Sequence, residues 1–177
     1  MSIYTKRFAK GPSWKKRASD ACSKYIRLRD AIEFAKRTGI GLNLPVGELV
    51  GECCTCPRIL PWKRMHAGHY FSRGLAGGSG TYFDERNIHL QCALCNAFEQ
   101  GNPRAYDEFM LRKYGQTVID ELRIKHHGCS RKTSGDYMAL EKLFKELYEE
   151  LVRNWNGGNG HEEGNTQNSR RTESSKQ

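Results

Sequence analysis

Two pairs of cysteines with the spacing C-x-x-C constrain this 177-residue chain more than any other feature. The pairs are Cys53 with Cys56 and Cys92 with Cys95. Each pair can hold a metal ion from one tight turn, and four thiolates make the tetrahedral site that structural zinc prefers. The 35 residues between the pairs exceed the ~15–20 of a minimal zinc ribbon, so we expect a functional insertion inside the zinc loop. The alternative is two chance pairs of buried cysteines.

The other cysteines, Cys22, Cys54 and Cys129, have no partner at metal-binding spacing and are expected to be small buried side chains or plain thiols. The total of seven is odd, and no apolar run near Met1 could be a signal-peptide core, which disfavours a secreted disulfide framework. No stretch approaches the ~20 apolar residues of a membrane span. The sequence therefore predicts a soluble protein of a reducing cytoplasm.

Positive charge is concentrated near the N-terminus. The chain has 29 Lys and Arg against 20 Asp and Glu, and its net charge is +9. Residues 1–37 hold eleven basic and three acidic residues, which leaves the rest of the chain almost neutral. Such a block suits nucleic acid, because neutralised phosphates release condensed counterions. A basic face that only aids solubility is the alternative.

Apolar periodicity predicts one long basic helix between Ser13 and Gly39, then short strands and loops up to Asn96. Three helical stretches follow, over residues 103–114, 117–126 and 134–155. We divide the chain into a basic arm with its helix, a zinc-stabilised core, C-terminal helices packed on the core and a disordered tail. In order, these are residues 1–39, 40–103, 104–155 and 156–177.

Three polar residues of the insertion have a recognisable order: His69, then Asn87, then Asn96 directly after the last cysteine. This order around a zinc knuckle resembles the signature of HNH endonucleases and their ββα-metal fold. The resemblance implies that His69 is the general base that deprotonates the attacking water. It also implies that Asn87 braces the loop carrying His69, and that Asn96, on the first turn of a helix, ligates a divalent cation. The predicted fold class is α+β, with a zinc-knuckle, treble-clef-like ββα-metal core flanked by helices.

Elementary chemistry agrees with these roles. Phosphodiester hydrolysis needs a positioned water, a base poised near neutrality and a positive centre beside the oxygens that gain charge. Histidine, with an unperturbed pKa near ~6.5, suits the base. A zinc ion saturated by four thiolates has no open position, so a second cation, Mg²⁺ or Mn²⁺, is expected.

The chain departs from the common HNH pattern beside the base, where most such sequences have Asp and this one has Gly68. His66 is the nearest replacement as a metal ligand, and Asp84 is the alternative. If His66 and Asn96 are the ligands, the site has no carboxylate and should favour a transition metal such as Mn²⁺ over Mg²⁺.

Longer runs of sequence resemble one family, the NinG/Rap recombination proteins of lambda-type phages. These runs are YIRLRD at 25–30, AGHY at 67–70, FDERNIHLQCALCN at 83–96, GNPRAY at 101–106 and YGQTVIDEL at 114–122. In the family's D-A-G-H-Y run, His66 occupies the acidic position. The resemblance implies a structure-selective DNA endonuclease that nicks branched recombination intermediates such as Holliday junctions and displacement loops.

Two other functions stay open. One is an HNH nickase that serves DNA packaging or host DNA degradation, and the other is a non-catalytic, zinc-containing DNA-binding protein, suggested by the missing Asp. The basic residues expected to contact DNA phosphates, on the arm and near the site, are Lys15, Lys16, Arg17, Lys24, Arg27, Arg64, Arg73 and Arg86.

Partners other than DNA are less constrained. A junction has two symmetric strands to cut, so we expect a homodimer, and phage recombination proteins are further expected partners. The apolar stripe from Leu140 to Trp155 predicts either the dimer interface or a cover for the core. His126, His127 and His161 are expected to be idle surface side chains.

Overall fold

The computed structural model describes residues 11–72, 80–128 and 131–158 of the chain. Its first element, helix α1 (Trp14–Thr38), begins where the Ser13 side chain accepts a hydrogen bond from the backbone N–H of Lys16. The helix ends at Gly39, whose φ of 80° is a conformation that glycine adopts without strain. These are the boundaries that the sequence predicts.

Two small antiparallel sheets follow α1. Strand β1 (Val50–Glu52) pairs with β2 (Ile59–Pro61), and strand β3 (His66–His69) pairs with β4 (Ile88–Gln91). In the second pair His66 lies opposite Gln91 and His69 lies opposite Ile88. The prediction of short strands and loops in this part of the chain is confirmed, and with the helices it makes the protein α+β.

The chain after β4 forms one turn of π-helix, Leu94–Phe98. Gln100, Gly101 and Asn102 end this turn, because all three have positive φ values, of 51°, 90° and 48°. Helix α2 (Pro103–His127) then starts with a proline in its first turn. The predicted helix after the last cysteine is therefore present only as this single turn, separate from α2.

Helix α2 is interrupted at Gly115, which has φ 76° and ψ 171°. This break confirms the two separate helical stretches that the sequence predicts on either side of Gly115. Helix α3 (Ser134–Gly158) is the third predicted stretch, and it runs three residues into the predicted tail. The rest of that tail lies outside the described residues.

Helix α1 lies at the centre of the fold, since it packs against α3, β1 and β4. Phe144 and Trp155 of α3 are buried against it, while Leu143 of the same stripe stays 45 % exposed. Of the two roles proposed for the α3 stripe, covering the core is therefore the one observed.

A buried polar network attaches α1 to β4. Asp30 accepts a hydrogen bond of 2.7 Å from the backbone N–H of Leu90, and it lies 3.4 Å from the ring Nδ1 of His89. Arg29 pairs with Asp30 at 2.7 Å and donates to the backbone carbonyls of Glu85 and Ile88. Burial by itself would raise the pKa of Asp30, but the positive charge of Arg29 and the bond to His89 lower it to about 2. The YIRLRD run is therefore the attachment of α1 to the strand that carries the candidate site.

Candidate functional site

The four paired cysteines converge, as the sequence predicts. Cys53 and Cys56 lie in the turn between β1 and β2, and Cys92 and Cys95 follow the end of β4. Their sulfur atoms all lie within 4.8 Å of one another. The Sγ atoms of Cys56 and Cys92 are 3.8 Å apart, which is about the ~3.8 Å separation that ~2.3 Å Zn–S bonds give in a tetrahedral site. This cysteine cluster can bind a metal such as zinc.

Backbone amides stabilise the sulfur atoms of the cysteine cluster. The N–H of Cys92 donates to the sulfur of Cys53 at 3.3 Å, and the N–H of Cys95 donates to the sulfur of Cys92 at 3.5 Å. Burial raises the pKa of the Cys92 thiol, but the N–H of Cys95 and bonds to the other three cysteines outweigh burial and lower this pKa to about 7. The pKa values of Cys56 and Cys95 are raised, chiefly by burial. Amide donors favour thiolates, which are the form that a metal ion binds.

Cys54, the neighbour of Cys53, does not join the cysteine cluster. It packs against the group of buried side chains around Tyr106, and burial raises its pKa well above the usual value for a thiol. Cys22 is buried against α3, as expected for a small apolar side chain. Cys129 lies outside the described residues.

His69 ends β3 and lies beside a loop residue that sequence reasoning missed. Its Nε2 is 3.1 Å from the backbone carbonyl of Tyr82, and the two rings lie 5.2 Å apart between centroids. A carbonyl oxygen only accepts, so Nε2 is the donor, and the lone pair of the neutral ring lies on Nδ1. No sequence signal could have identified Tyr82, because any residue offers a carbonyl.

Asn87 is fully buried and ties together the two ends of the loop that follows His69. Its side-chain amide donates to the carbonyls of Phe71 and Thr81, both at 3.2 Å, and its Oδ1 accepts from the N–H of Phe71 at 2.8 Å. The backbone carbonyl of Asn87 also accepts from the N–H of Tyr70. This geometry is what bracing of the His69 loop requires.

Asn96 and His66 meet across the start of β3. The side-chain Nδ2 of Asn96 is 3.0 Å from the Nδ1 of His66, and the N–H of Asn96 is held by the carbonyl of Cys92. Asp84, the alternative ligand, is engaged elsewhere, in ion pairs with Arg86 at 3.2 Å and Lys125 at 2.7 Å. The contact to Asn96 is thus made by His66.

Gly68 between the two histidines is required by packing. A Cβ at this position would overlap the side-chain amide of Gln91, which lies beneath β3 and donates to Thr55 and to the carbonyl of Gly101. The Gly68 carbonyl accepts a 2.9 Å hydrogen bond from Tyr106 on α2. A side chain at position 68 would therefore require the Gln91 amide to move.

The basic residues expected to contact DNA fall into two groups. Several make contacts within the chain: Arg27 donates to the carbonyls of Lys63 and Met65, Arg17 pairs with Glu141, Arg86 pairs with Asp84 and Glu121, Lys16 pairs with Asp20, and Lys24 lies over the Tyr148 ring. Of these, Lys16, Arg17 and Lys24 are exposed. Arg27 in particular is half-buried and has a structural role. Lys15 and Arg64 are exposed, and Arg73 lies outside the described residues.

Two other histidines have structural contacts. His89 is fully buried beside Asp30, and its ring lies edge-on to Phe109 at 4.8 Å. His126 is not an idle surface residue, because it stacks on Phe71 at 5.2 Å and lies 3.3 Å from the Thr81 hydroxyl. It thereby supports the same loop that Asn87 braces. His127 is exposed, as expected, and His161 lies outside the described residues.

The fold and the cysteine cluster define an α+β protein with four cysteines placed where they can hold a metal ion. In the described part of the chain, no helix is both long and apolar enough to cross a membrane. The family model described as "Bacteriophage Lambda NinG protein" matches residues 43–154. The chain therefore belongs to the NinG family.

Phage proteins named "Protein ninG" are similar to most of the chain. The one from Escherichia phage 933W is 30 % identical over 138 residues, which is 78 % of this chain and 58 % of that protein. Those from Salmonella phage P22 and Escherichia phage lambda are each 29 % identical over the same length, covering 57 % of each relative. The chain thus spans a little over half the length of these relatives. No solved structure matches it.

Proposed function

We propose that the protein is a metal-dependent, structure-selective DNA endonuclease that nicks branched recombination intermediates. The observation that supports this most directly is the pairing of β3 with β4. It leaves His66 beside Asn96 at one end of β3, and His69 beside the loop that Asn87 braces at the other. This order resembles that of the ββα-metal core of HNH nucleases, and β3, β4 and the π-helical turn would correspond to its three parts.

The His66–Asn96 contact fits a divalent cation. An Asn amide can turn over so that its oxygen replaces its nitrogen, and the two ligand atoms would then be about 3.0 Å apart. Adjacent ligands at the ~2.1 Å bond length of an octahedral ion are also ~3.0 Å apart. A cation bound there would offset the negative charge that develops on the phosphate oxygens. An imidazole and an amide favour Mn²⁺ over Mg²⁺.

His69 takes the role of general base. Its Nδ1 accepts the proton of the attacking water, and the Tyr82 carbonyl stabilises the imidazolium that forms, through the bond to Nε2–H. Asn87 keeps the loop carrying Tyr82 near His69 by bonding both ends of that loop. The expected products carry 5′-phosphate and 3′-hydroxyl ends.

Zinc in the cysteine cluster would have a structural role, because four thiolates leave no coordination position for water or substrate. Such an ion would join the β1–β2 turn to the end of β4, directly before Asn96. It would thereby hold Asn96 in place without entering the reaction.

The preference for branched DNA rests on the resemblance to the NinG/Rap recombination proteins. The protein would act on phage DNA in the cytoplasm of the infected bacterium, with other phage recombination proteins as partners. Two copies would be needed to cut both strands of a junction symmetrically. A non-catalytic DNA-binding protein is the second candidate function, because His66 replaces the usual acid and the residue beside His69 is Gly68, which carries no ligand atom.

Cleavage of a labelled four-way junction and of its linear arms tests the proposal. The zinc-loaded wild type, His69→Ala and the control His127→Ala should be compared in Mg²⁺ and in Mn²⁺. We expect the wild type to prefer the junction and Mn²⁺. We expect His69→Ala to lower the rate about 10²–10⁴-fold, as for loss of a general base, and the control to have no effect.

The other outcomes point to the alternatives. Equal cleavage of junction and arms supports the general nickase. A wild type that binds DNA but does not cut it with either cation supports the non-catalytic protein. Full activity of His69→Ala contradicts the assignment of the base.

A further inference from the structure

A groove with a volume of about 440 Å³ lies between the N-terminal part of α1 and the β3–β4 pair. His69 and Tyr82 line it together with the apolar side chains of Ala67 and Ile88. On the other side it is lined by polar side chains within residues 13–23. We call this the α1 groove. The candidate general base thus shares a groove with the basic helix that the sequence singles out.

The α1 groove has a positive charge at Lys15. The Lys15 amine lies 5.4 Å from the centroid of the Tyr82 ring, and in the described part of the chain it has no carboxylate partner. Asp20 is the acidic residue lining the groove, and Lys16 neutralises it in an exposed ion pair of 2.7 Å. The charge balance of the lining therefore favours an anion beside Lys15.

The phenol hydroxyl of Tyr82 is paired with the hydroxyl of Ser19. The Ser19 Oγ and the Tyr82 phenol oxygen are 2.7 Å apart, a distance at which one donates to the other. Two hydroxyls carry two protons, and their mutual bond uses one of them. The second proton is available for an acceptor in the groove, such as a phosphate oxygen. Tyr82 is thus the shared neighbour of the amine, the Ser19 hydroxyl and His69.

We propose that Lys15, Ser19 and Tyr82 form a phosphate subsite. It binds one backbone phosphodiester of the DNA strand, next to the phosphodiester of the same strand that faces His69. Lys15 supplies the charge, and the hydroxyl pair supplies one directional hydrogen bond. Because the backbone carbonyl of Tyr82 also holds His69, a phosphate in this subsite would fix the strand in register with the base. This inference rests on the proposed function for the identity of the anion as DNA.

The α1 groove favours a DNA strand over a free anion because it is elongated along the helix. Its lining spans three turns of α1, from Ser13 to Ser23, whereas one inorganic phosphate would contact only Lys15 and the hydroxyl pair. On the strand side the half-buried Ala67 offers no bond to further charge, which suits the sugar between two phosphates.

Binding measurements test the subsite without any need for cleavage. The affinity of the full-length, zinc-loaded protein for a fluorescent four-way junction is measured by anisotropy across a series of KCl concentrations, with no added divalent cation. The variants are Lys15→Met and the matched control Lys36→Met, which removes the same charge from an exposed position in the last turn of α1. Loss of one phosphate contact should reduce the slope of log K against log salt by about 0.9.

We expect Lys15→Met to show this change of slope and a loss of affinity of about fivefold near physiological salt, which follows from the same slope. Lys36→Met should show neither. Ser19→Ala and Tyr82→Phe each leave one hydroxyl whose proton is no longer used in the mutual bond, so each should weaken binding less than threefold. The double variant removes the last donor and should weaken binding about threefold, as for one hydrogen bond.

Identical salt slopes for Lys15→Met and Lys36→Met would overturn the subsite, even if the wild type cuts DNA. A double variant that binds DNA as tightly as the wild type would also overturn it, since the hydroxyl pair would then donate no hydrogen bond to the phosphate. In a third measurement, inorganic phosphate competes with the DNA at constant ionic strength. Displacement of the DNA by phosphate from the wild type but not from Lys15→Met, at millimolar concentration, would show a site for the free anion and overturn the choice of DNA. Conversely, a wild type that shows the Lys15 effect but cuts no DNA retains the subsite while the proposed endonuclease fails.

Discussion

The cysteine cluster and its neighbour, which we call the histidine edge (His66 and Asn96), differ in burial although Cys95 and Asn96 are adjacent in the chain. Cys92 and Cys95 are each 1 % exposed, whereas His66 is exposed and Asn96 is half-buried. The cluster consists of soft sulfur ligands shielded from water, and the histidine edge offers nitrogen and oxygen to solvent. The same turn therefore presents one set of ligands inward for stability and another outward for a substrate.

This contrast predicts that substitutions in the cysteine cluster unfold the protein. Substitutions in the histidine edge should affect only cation binding and cleavage. The largest effect is expected for Cys92→Ser. A structural zinc site contributes about 10 kcal/mol or more to folding, so this variant should lose its metal and its cooperative thermal unfolding transition. Metal content and circular dichroism measure both properties.

Cys54→Ala is the matched control for that variant. Cys54 follows a ligand directly but packs away from the cysteine cluster. It should keep one zinc per chain and lose only about 1 kcal/mol of stability. Loss of zinc in Cys54→Ala, with retention in Cys92→Ser, would reverse the assignment of ligands.

The next largest effect concerns the network that attaches α1 to β4. Asp30→Ala leaves Arg29 and His89 buried without their partner, so we expect a loss of about 3–5 kcal/mol in the free energy of unfolding. Asp20→Ala, on the same helix but 62 % exposed, should cost under about 1 kcal/mol. Urea unfolding of both variants measures the difference. Equal losses would show that the network contributes nothing to stability.

The pH dependence of stability gives a smaller effect with a defined sign. The pKa of Asp30 is lowered to about 2 in the folded protein, against ~3.9 in an unfolded chain. Its contribution, about 2–3 kcal/mol, is fully present above pH ~4 and is lost as pH falls towards 2. The wild type should therefore lose more stability than Asp30→Asn in this interval. Parallel curves would contradict the lowered pKa.

The smallest predicted effect tests the packing between the cysteine cluster and the histidine edge. Gly68→Ala places a Cβ against the Gln91 amide beneath β3, and we expect a loss of about 1–3 kcal/mol. Gly135→Ala is the control, since its added Cβ meets only an ordinary contact at 3.6 Å to Thr133. Thermal unfolding compares the two. A Gly68→Ala protein as stable as the wild type would mean that β3 can move away from Gln91 without cost.

Sequence reasoning located the metal-binding cysteines because thiol spacing alone specifies them. It also located the helix boundaries at Ser13, Gly39 and Gly115, where a capping side chain or a glycine conformation has a local cause. It could not choose between His66 and Asp84, because strand register and the ion pairs of Asp84 decide which of them meets Asn96.

The count of charged residues could not show which basic side chains are available to a partner. Eleven basic residues near the N-terminus predict a polyanion partner, but a count cannot show that Arg27 and Arg29 donate to backbone carbonyls at the starts of β3 and β4. The Tyr82 carbonyl was missed for another reason, since a backbone group leaves no mark in the sequence. The residues that act through tertiary contacts were thus the ones that the sequence could not identify.

The most direct test of the account is a Mn²⁺ titration of the zinc-loaded protein followed by electron paramagnetic resonance, in the wild type and in His66→Ala. We expect the wild type to bind one Mn²⁺ in addition to its zinc, and His66→Ala to lose that Mn²⁺ while keeping the zinc and its unfolding temperature. Unchanged Mn²⁺ binding in His66→Ala, or loss of zinc together with Mn²⁺, would contradict two separate metal sites on one turn.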